Sequence, residues 1–547
     1  MKKLKLAALT LCAVMALAPL AACKGGGKAD KASLQIFVQG GGYGFDYIDK
    51  MAAEYMSRNT GVKVEIVMQT DQSSFIDSTI LQGPADNDID LYFGAFGYGN
   101  CVPVFTMQSR SNPVYGWTGK AWADLSDIYE SPLDPAYNEA KSGKYKTIGD
   151  AMNRYYLDTL TYYEDGKQYG VPSSPGFNGL LYNKTLWDNT NARLPSGSKL
   201  ELPVTTTEMF ALWTRMASTQ VQNASYGAYP YIYSATSDYH WIGFSTWWAQ
   251  HAGIDDANLF LEGRTAANGP ITADIYASPS RLEAYKIVAE TMRGAGYVNS
   301  KYHSAPFKDV QLLFLQGEAF FNLNGDWLEK EMSGSFKPGQ KDIRYIRFPI
   351  ISDIIHNLPD GTVENDAELS ALVKAIDAGS AELSGAGYGV SQADFDRVKQ
   401  ARRTNVGDPQ YLAVVPAYSD KLAEAKDFIR FMLSKDGQQI CMENTYGVRA
   451  PLEVDVTQYK YYAEATEMCK SKFELTSDWI PFLPWGQKNP AQHLGNIQYW
   501  SKVPSLSDFA ITKNTPEYVQ NKELSDMASG WKAQVLDPLA AKGIKVD

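Results

Sequence analysis

The chain has 547 residues, of which 44% are hydrophobic, 12% aromatic and 21% charged; 51 Lys+Arg against 62 Asp+Glu give a net charge of −11. That length is too great for one ordinary core and allows two or more lobes, while the apolar fraction excludes a disordered chain. An acidic balance without a local basic patch repels phosphate backbones, so no nucleic-acid partner is expected; the unusual feature is aromatic, with 34 Tyr and 12 Trp.

Residues 1–22 read as an export signal. Lys2, Lys3 and Lys5 form a cationic start, and Leu6 to Leu20 form an apolar stretch too short to span a membrane comfortably. Leu20-Ala21-Ala22-Cys23 resembles the lipobox of bacterial lipoproteins, which implies cleavage before Cys23, lipidation of Cys23 and a flexible linker over 23–32. The expected location is extracytoplasmic, on the bacterial cell membrane through that anchor. With Cys12 removed and Cys23 lipidated, Cys101, Cys441 and Cys469 remain. These allow at most one disulfide, with the pairing open. CxxC pairs are absent, so zinc or redox chemistry has no footing, and neither metal nor cofactor is expected.

The mature chain begins as β-α-β-x-β. Leu34–Gln39 is an apolar run that ends at Gly40-Gly41-Gly42. Tyr47, Ile48, Met51, Ala52 and Tyr55 then recur at helical spacing until Asn59-Thr60-Gly61. Val62–Met68 alternates as a strand, and Asp88–Gly94 is a third strand leading into Gly94–Gly99. Alternating strands and helices imply a parallel α/β sheet, in which ligands sit beyond the carboxyl ends of the strands. The loops there carry Tyr43, Phe45, Phe96 and Tyr98 beside their glycines, which makes these four aromatics binding candidates. A dinucleotide fingerprint fails, because Tyr47 stands where the third glycine is needed. G-x-x-x-x-G-K-[ST] is absent as well.

Asp165-Gly166-Lys167-Gln168-Tyr169-Gly170-Val171-Pro172, followed by Leu181-Tyr182-Asn183-Lys184, resembles the signature of extracellular solute-binding proteins of ABC transporters, in the carbohydrate-type family 1 that includes maltodextrin binders. Leu202–Trp213, Ala319–Trp327 and Leu422–Leu433 fit the same family in order. The resemblance implies a two-lobed periplasmic-binding-protein-like α/β fold of class II, with discontinuous lobes and an interlobe ligand cleft. The expected N-terminal lobe is 33–173 plus 418–450, and the C-terminal lobe is 174–417 plus 451–547. Crossings are expected near Ser173–Phe177, which contains Ser174, near Pro416–Ser419 and near Tyr446–Pro451. Residues 351–410 depart from the family as a helical insertion, with Leu369, Leu372, Val373 and Ile376 at helical spacing and Ser391-x-x-Asp394 as a capping box. The tail beyond 455 is longer than usual for the family.

No enzyme motif is present, and the five histidines are scattered. A sugar site, by contrast, needs flat aromatic platforms beside carboxylate, amide or guanidinium groups. Tyr229–His251 is the richest stretch. From Tyr239 it reads as a helix apolar all round, hence buried, so at least one of Trp247 and Trp248 belongs to the core, while Asp238, Tyr239 and Trp241 lie at or near the helix start and suit a cleft better. Trp247 is retained as a binding candidate. Asn324-Gly325-Asp326-Trp327 follows an apolar strand, and the resemblance implies that this turn faces the cleft with Trp327 stacking on the sugar; the other reading has Trp327 packed into the core. Arg449 could grip hydroxyls or a carboxylate, or form an interlobe salt bridge. Trp479 to Trp485 is a Pro/aromatic loop that either reaches the cleft, through Trp485, or packs on its lobe. The reading is a monomeric, membrane-tethered lipoprotein that catalyses nothing, binds a carbohydrate and delivers it to an ABC permease. Its rivals are binding of a peptide on the same fold, and a surface glycan-active or adhesion lipoprotein.

Overall fold

β1 (Leu34–Gln39) lies within a sheet between β2 (Val64–Gln69) and β3 (Leu91–Ala95), parallel to both, with Ile36 opposite Ile66 on one side and Leu91 on the other. A computed structural model describes residues 34–69, 73–95, 121–137, 144–162, 165–234, 239–294, 296–299, 304–380, 389–408, 411–484, 509, 514–541 and 543–546. The export signal, Cys23, Phe96, Tyr98, Cys101, Asp238 and Trp485 lie outside the described residues. The helix Asp46–Arg58 follows β1 and buries Tyr47, Ile48, Met51, Ala52 and Tyr55, the stripe expected from the sequence.

The first sheet is completed by β4 (Val171–Pro172) and, much later in the chain, β10 (Tyr411–Val414), in the order β2-β1-β3-β10-β4. β10 runs antiparallel to both neighbours. The second sheet contains β5 (Asn178–Asn183), β6 (Tyr229–Tyr231), β7 (Ala319–Gly325) and β8 (Ile343–Ile346), in the order β6-β7-β5-β8. β5 and β7 are buried along their whole length, as strands covered on both faces must be. A short parallel pair, β9 (Thr404–Val406) with β11 (Ile480–Phe482), lies beside the second sheet. The two-lobed α/β architecture agrees with the expectation from the sequence.

The chain first passes between sheets over 173–177, where Pro175 and Gly176 stand. It returns between β9 and β10, so the return precedes Pro416–Ser419; those residues already sit beyond a strand of the first sheet. The two crossings are joined. Phe177 bridges Gly407, and the Asp408 amide donates to the Gly176 carbonyl at 2.9 Å. Gly176 has φ +56°, and a Cβ there would stand 1.4 Å from the Asp408 carbonyl oxygen, so no side chain fits. Tyr446–Pro451 stays with the first lobe: the Ala450 amide donates to Gln438 Oε1 and Leu452 bridges Met152. The last passage comes later, before the helix Glu467–Thr476, which packs on β8.

In the second lobe the helix His240–Ala252 is buried from His240 to His251. Trp248 packs edge-on against Phe260 and Phe482, and Trp247 donates its indole N–H to the Pro349 carbonyl at 3.2 Å. In the 351–410 segment, the helices Asp366–Asp377 and Gln392–Arg403 bury Leu369, Leu372, Val373, Ile376, Phe395 and Val398 in the same core. The capping box at Ser391 is half formed. Ser391 Oγ accepts from the Asp394 amide, but the Asp394 carboxylate accepts from Asp360 and Thr362, which draws it away from the Ser391 amide. The tail helix Pro516–Trp531 docks here through Glu523, which receives Arg281 at 3.0 Å and Tyr285 at 2.7 Å.

Candidate functional site

The site is built on the end of β7. Asn324 Oδ1 accepts from the Gly325 amide at 2.9 Å and turns the chain. Gly325 must be glycine, since a Cβ would lie 2.1 Å from the Trp327 ring folded back over it. The Asp326 amide donates to the Phe177 carbonyl at 2.9 Å, fixing the turn to the first crossing. Asp326 is thereby presented to the other lobe, where the Tyr43 hydroxyl donates to its Oδ1 at 2.5 Å. Burial, with the neighbouring Asp326 charge, holds the Tyr43 pKa well above its ordinary value, so Tyr43 acts as a neutral donor. Asp326 Oδ2 faces Lys472 Nζ at 3.3 Å, and Lys472 also donates to the Gly447 carbonyl at 2.8 Å.

An aromatic cluster surrounds this network. Tyr43 meets Trp327 edge-on at 6.4 Å and Tyr411 at 4.9 Å, and Trp327 meets Tyr239 at 6.1 Å. The approach of the lobes depends on Gly42, where a Cβ would stand 2.7 Å from Trp327 Cβ. Ser174 is buried against the Tyr43 hydroxyl, and Lys330 pairs with Asp46 at 2.7 Å across the rim. Glu329, two residues beyond Trp327, accepts from Thr466 at 2.6 Å, and burial raises its pKa to about 7.

Tyr43, Ser174, Tyr239, Asp326 and Trp327 are therefore brought together from distant parts of the chain. The other candidates are placed differently. Trp247 is a core residue, for the packing reason given above. Asn324 is fully buried and its side chain is taken up by Asn322 and the turn. Trp241 is buried in the second-lobe core, with its indole N–H unbonded among the described residues. Phe45 sits at the start of the helix Asp46–Arg58, half-buried against the first core. Arg449 forms no interlobe salt bridge among the described residues; its guanidinium donates to the Ala450 and Leu452 carbonyls. Trp479 packs on Tyr156 and Phe177, and Ile480–Phe482 forms β11, so this part of the loop packs on its lobe.

Sequence reasoning missed Tyr411 and Lys472. The signal for Lys472 was its position on the apolar stripe Met468, Cys469, Lys472, Phe473, a place where a lysine needs a buried partner. Cys441 and Cys469 are both unbridged and buried, and burial pushes both thiols up to about 12. No group of three His, Cys, Asp or Glu side chains is placed to hold a metal ion among the described residues. No helix among them is long and apolar enough to cross a membrane.

Two α/β lobes joined by repeated crossings and meeting at an aromatic and carboxylate interface have the architecture of proteins that enclose a solute between hinged lobes. The bacterial extracellular solute-binding protein family matches residues 42–439, and the chain belongs to that family. Its fold is similar to the GacH receptor of Streptomyces glaucescens, studied unliganded and with acarbose (13% identity, 92% of this chain and 98% of that one, TM-score 0.54). It is also similar to an ABC substrate-binding protein of Listeria monocytogenes in complex with cycloalternan (15%, 94% and 99%, 0.52). A solute-binding protein of Thermotoga lettingae bound with alpha-D-tagatose is a third (14%, 91% and 98%, 0.54). No curated protein sequence matches the chain.

Proposed function

We propose that this chain is the carbohydrate-binding component of an ABC importer, tethered outside the membrane by lipid on Cys23, and that it takes an oligosaccharide between its lobes without catalysis. The observation that carries this reading is the Asp326-Trp327 turn facing Tyr43 across the lobe interface: a flat indole beside a carboxylate that accepts a hydroxyl proton. That pairing suits a sugar, which offers an apolar C–H face and a rim of hydroxyls. Trp327 and Tyr239 are the platforms, while Asp326 and Ser174 take the hydroxyls. Tyr43 supplies the opposing lobe, and hinge bending closes it. Phe96, Tyr98, Asp238 and Trp485 remain candidate contacts of the same cleft. Ligands named for the fold relatives above agree with a sugar.

Intrinsic tryptophan fluorescence, titrated with mono- and oligosaccharides, uronates and peptides, tests the reading. A saturable response to an oligosaccharide is expected. A response to peptides alone overturns it, and hydrolysis of a glycan panel would turn the reading to a glycan-active surface protein.

A further inference from the structure

A concavity of about 270 Å³ lies at the end of the second sheet away from the Asp326 turn. β5 ends there at Asn183, and β7 begins there after Glu318, whereas the other end of β7 delivers Gly325 to the turn. At about 3.3 Å per strand residue, the length of β7 keeps the two places roughly 20 Å apart.

Tyr226 forms one wall of this concavity. It is 80% exposed, more than any other large apolar side chain among the described residues. Its backbone is left-handed, with φ 58°, a conformation that glycine adopts at lower cost. Burial and local backbone preference therefore both argue against a tyrosine here. The ring is nevertheless held in place: the Arg193 guanidinium lies over it, 4.3 Å from the centroid, and donates to the Ala224 carbonyl at 2.9 Å. The outcome is a fixed aromatic plate presented to solvent.

The facing walls carry polar groups that the fold leaves unused. The side chains of Asn189, Gln316 and Lys341 make no hydrogen bond or ion pair among the described residues. Glu318 and Lys341 bring one charge of each sign, so the lining favours neither an anion nor a cation. A flat ring beside two free amides in a neutral setting matches a ligand with an apolar C–H face and a rim of hydroxyls.

We propose that this concavity is a second carbohydrate site, which holds one sugar unit of a neutral glycan stacked on Tyr226, with its hydroxyls bonded to Asn189 and Gln316. The space beside Gly227, where a Cβ would meet no atom within 4 Å, lets the glycan chain run on past the concavity. The site lies on one lobe, so binding there needs no closure and does not rest on the sugar reading of the cleft.

Affinity electrophoresis of the full chain through native gels containing soluble starch, xylan or mixed-linkage β-glucan, against a gel without polysaccharide, tests it. At least one polysaccharide should retard the chain. Tyr226→Ser should abolish that retardation at an unaltered melting temperature, and Tyr226→Trp, which restores a flat ring, should keep it. Asn189→Ala combined with Gln316→Ala should raise the dissociation constant at least fivefold. Trp327→Ala should be retarded like wild type, while Tyr226→Ser should keep the tryptophan fluorescence response of the cleft, so each reading can fail without the other. Absence of retardation by all three polysaccharides overturns the proposal. So does retardation that persists in Tyr226→Ser, or that vanishes in Trp327→Ala.

Discussion

Tyr43 Oη lies 2.5 Å from Asp326 Oδ1 across the interface of the lobes. A hydrogen bond to a charged acceptor contributes about 1.5–3 kcal/mol. This one joins lobes and not neighbouring turns, so its free energy bears on the open–closed equilibrium. Tyr43→Phe should shift the unliganded chain toward the open form, read as a larger radius of gyration in solution scattering. An unchanged radius would show that the bond does not hold the lobes.

Trp327 and Trp247 offer a paired comparison. Both are buried, but Trp247 lies inside one core and Trp327 between lobes. Trp247→Ala should cost about 3–5 kcal/mol in denaturant unfolding, as for a core tryptophan. Trp327→Ala should cost less, and only it should weaken sugar binding, by at least tenfold. Equal destabilisation with unchanged affinity would make Trp327 a core residue.

Glu329 sets a pH dependence. Burial raises its folded pKa to about 7 from an ordinary 4.5, so the protonated carboxyl is the form that the fold favours. Its stabilising effect is complete below pH 4.5 and is lost as the pH rises through 7, a difference of about 3 kcal/mol at most. Glu329→Gln keeps an acceptor for Thr466 and should flatten the stability profile between these values, leaving the variant more stable than wild type at pH 8. Parallel profiles would show that Glu329 is not the titrating group.

The Arg281–Glu523 pair fastens the tail to the second lobe. Five aromatic rings, of Phe244, Trp248, Phe260, Tyr276 and Tyr285, stand within 5.6 Å of the Arg281 guanidinium carbon. Glu523→Ala strands a buried cation and should cost about 3–5 kcal/mol. Arg281→Met combined with Glu523→Leu should recover most of that loss, because two apolar side chains leave no charge to desolvate. A double variant as unstable as Glu523→Ala would assign the cost to packing.

The first lobe was readable because its signals are local: the Leu34–Gln39 run, the stripe from Tyr47 to Tyr55 and the alternation after Val62 each declare an element within a few residues. The first crossing was readable for a similar reason, its Pro and Gly. The second was misplaced because β10 is four buried residues whose pairing partners, Phe93 and Val171, lie far away in the chain. Within the site, Asp326 and Trp327 were found from a strand-then-Gly pattern. Tyr411 was not, since its place is fixed by tertiary contacts alone, and Lys472 was not either, although its position on an apolar helix stripe marks it as a lysine in need of a buried partner. Trp247 shows the converse: its aromatic surroundings suggested a platform, but a helix buried on every face has no side left for a ligand.

The contact of Gly176 with Asp408 has a mechanical consequence. A single linking strand can swivel and twist in any direction, whereas two strands bonded side by side resist twist and shear and bend readily only across their common width. The joined crossings should therefore favour bending of the lobes over twisting them. If the proposed solute is held between the lobes, a solute of the wrong length should not be accommodated by skewing one lobe against the other, which would place part of the selectivity in backbone that never touches it.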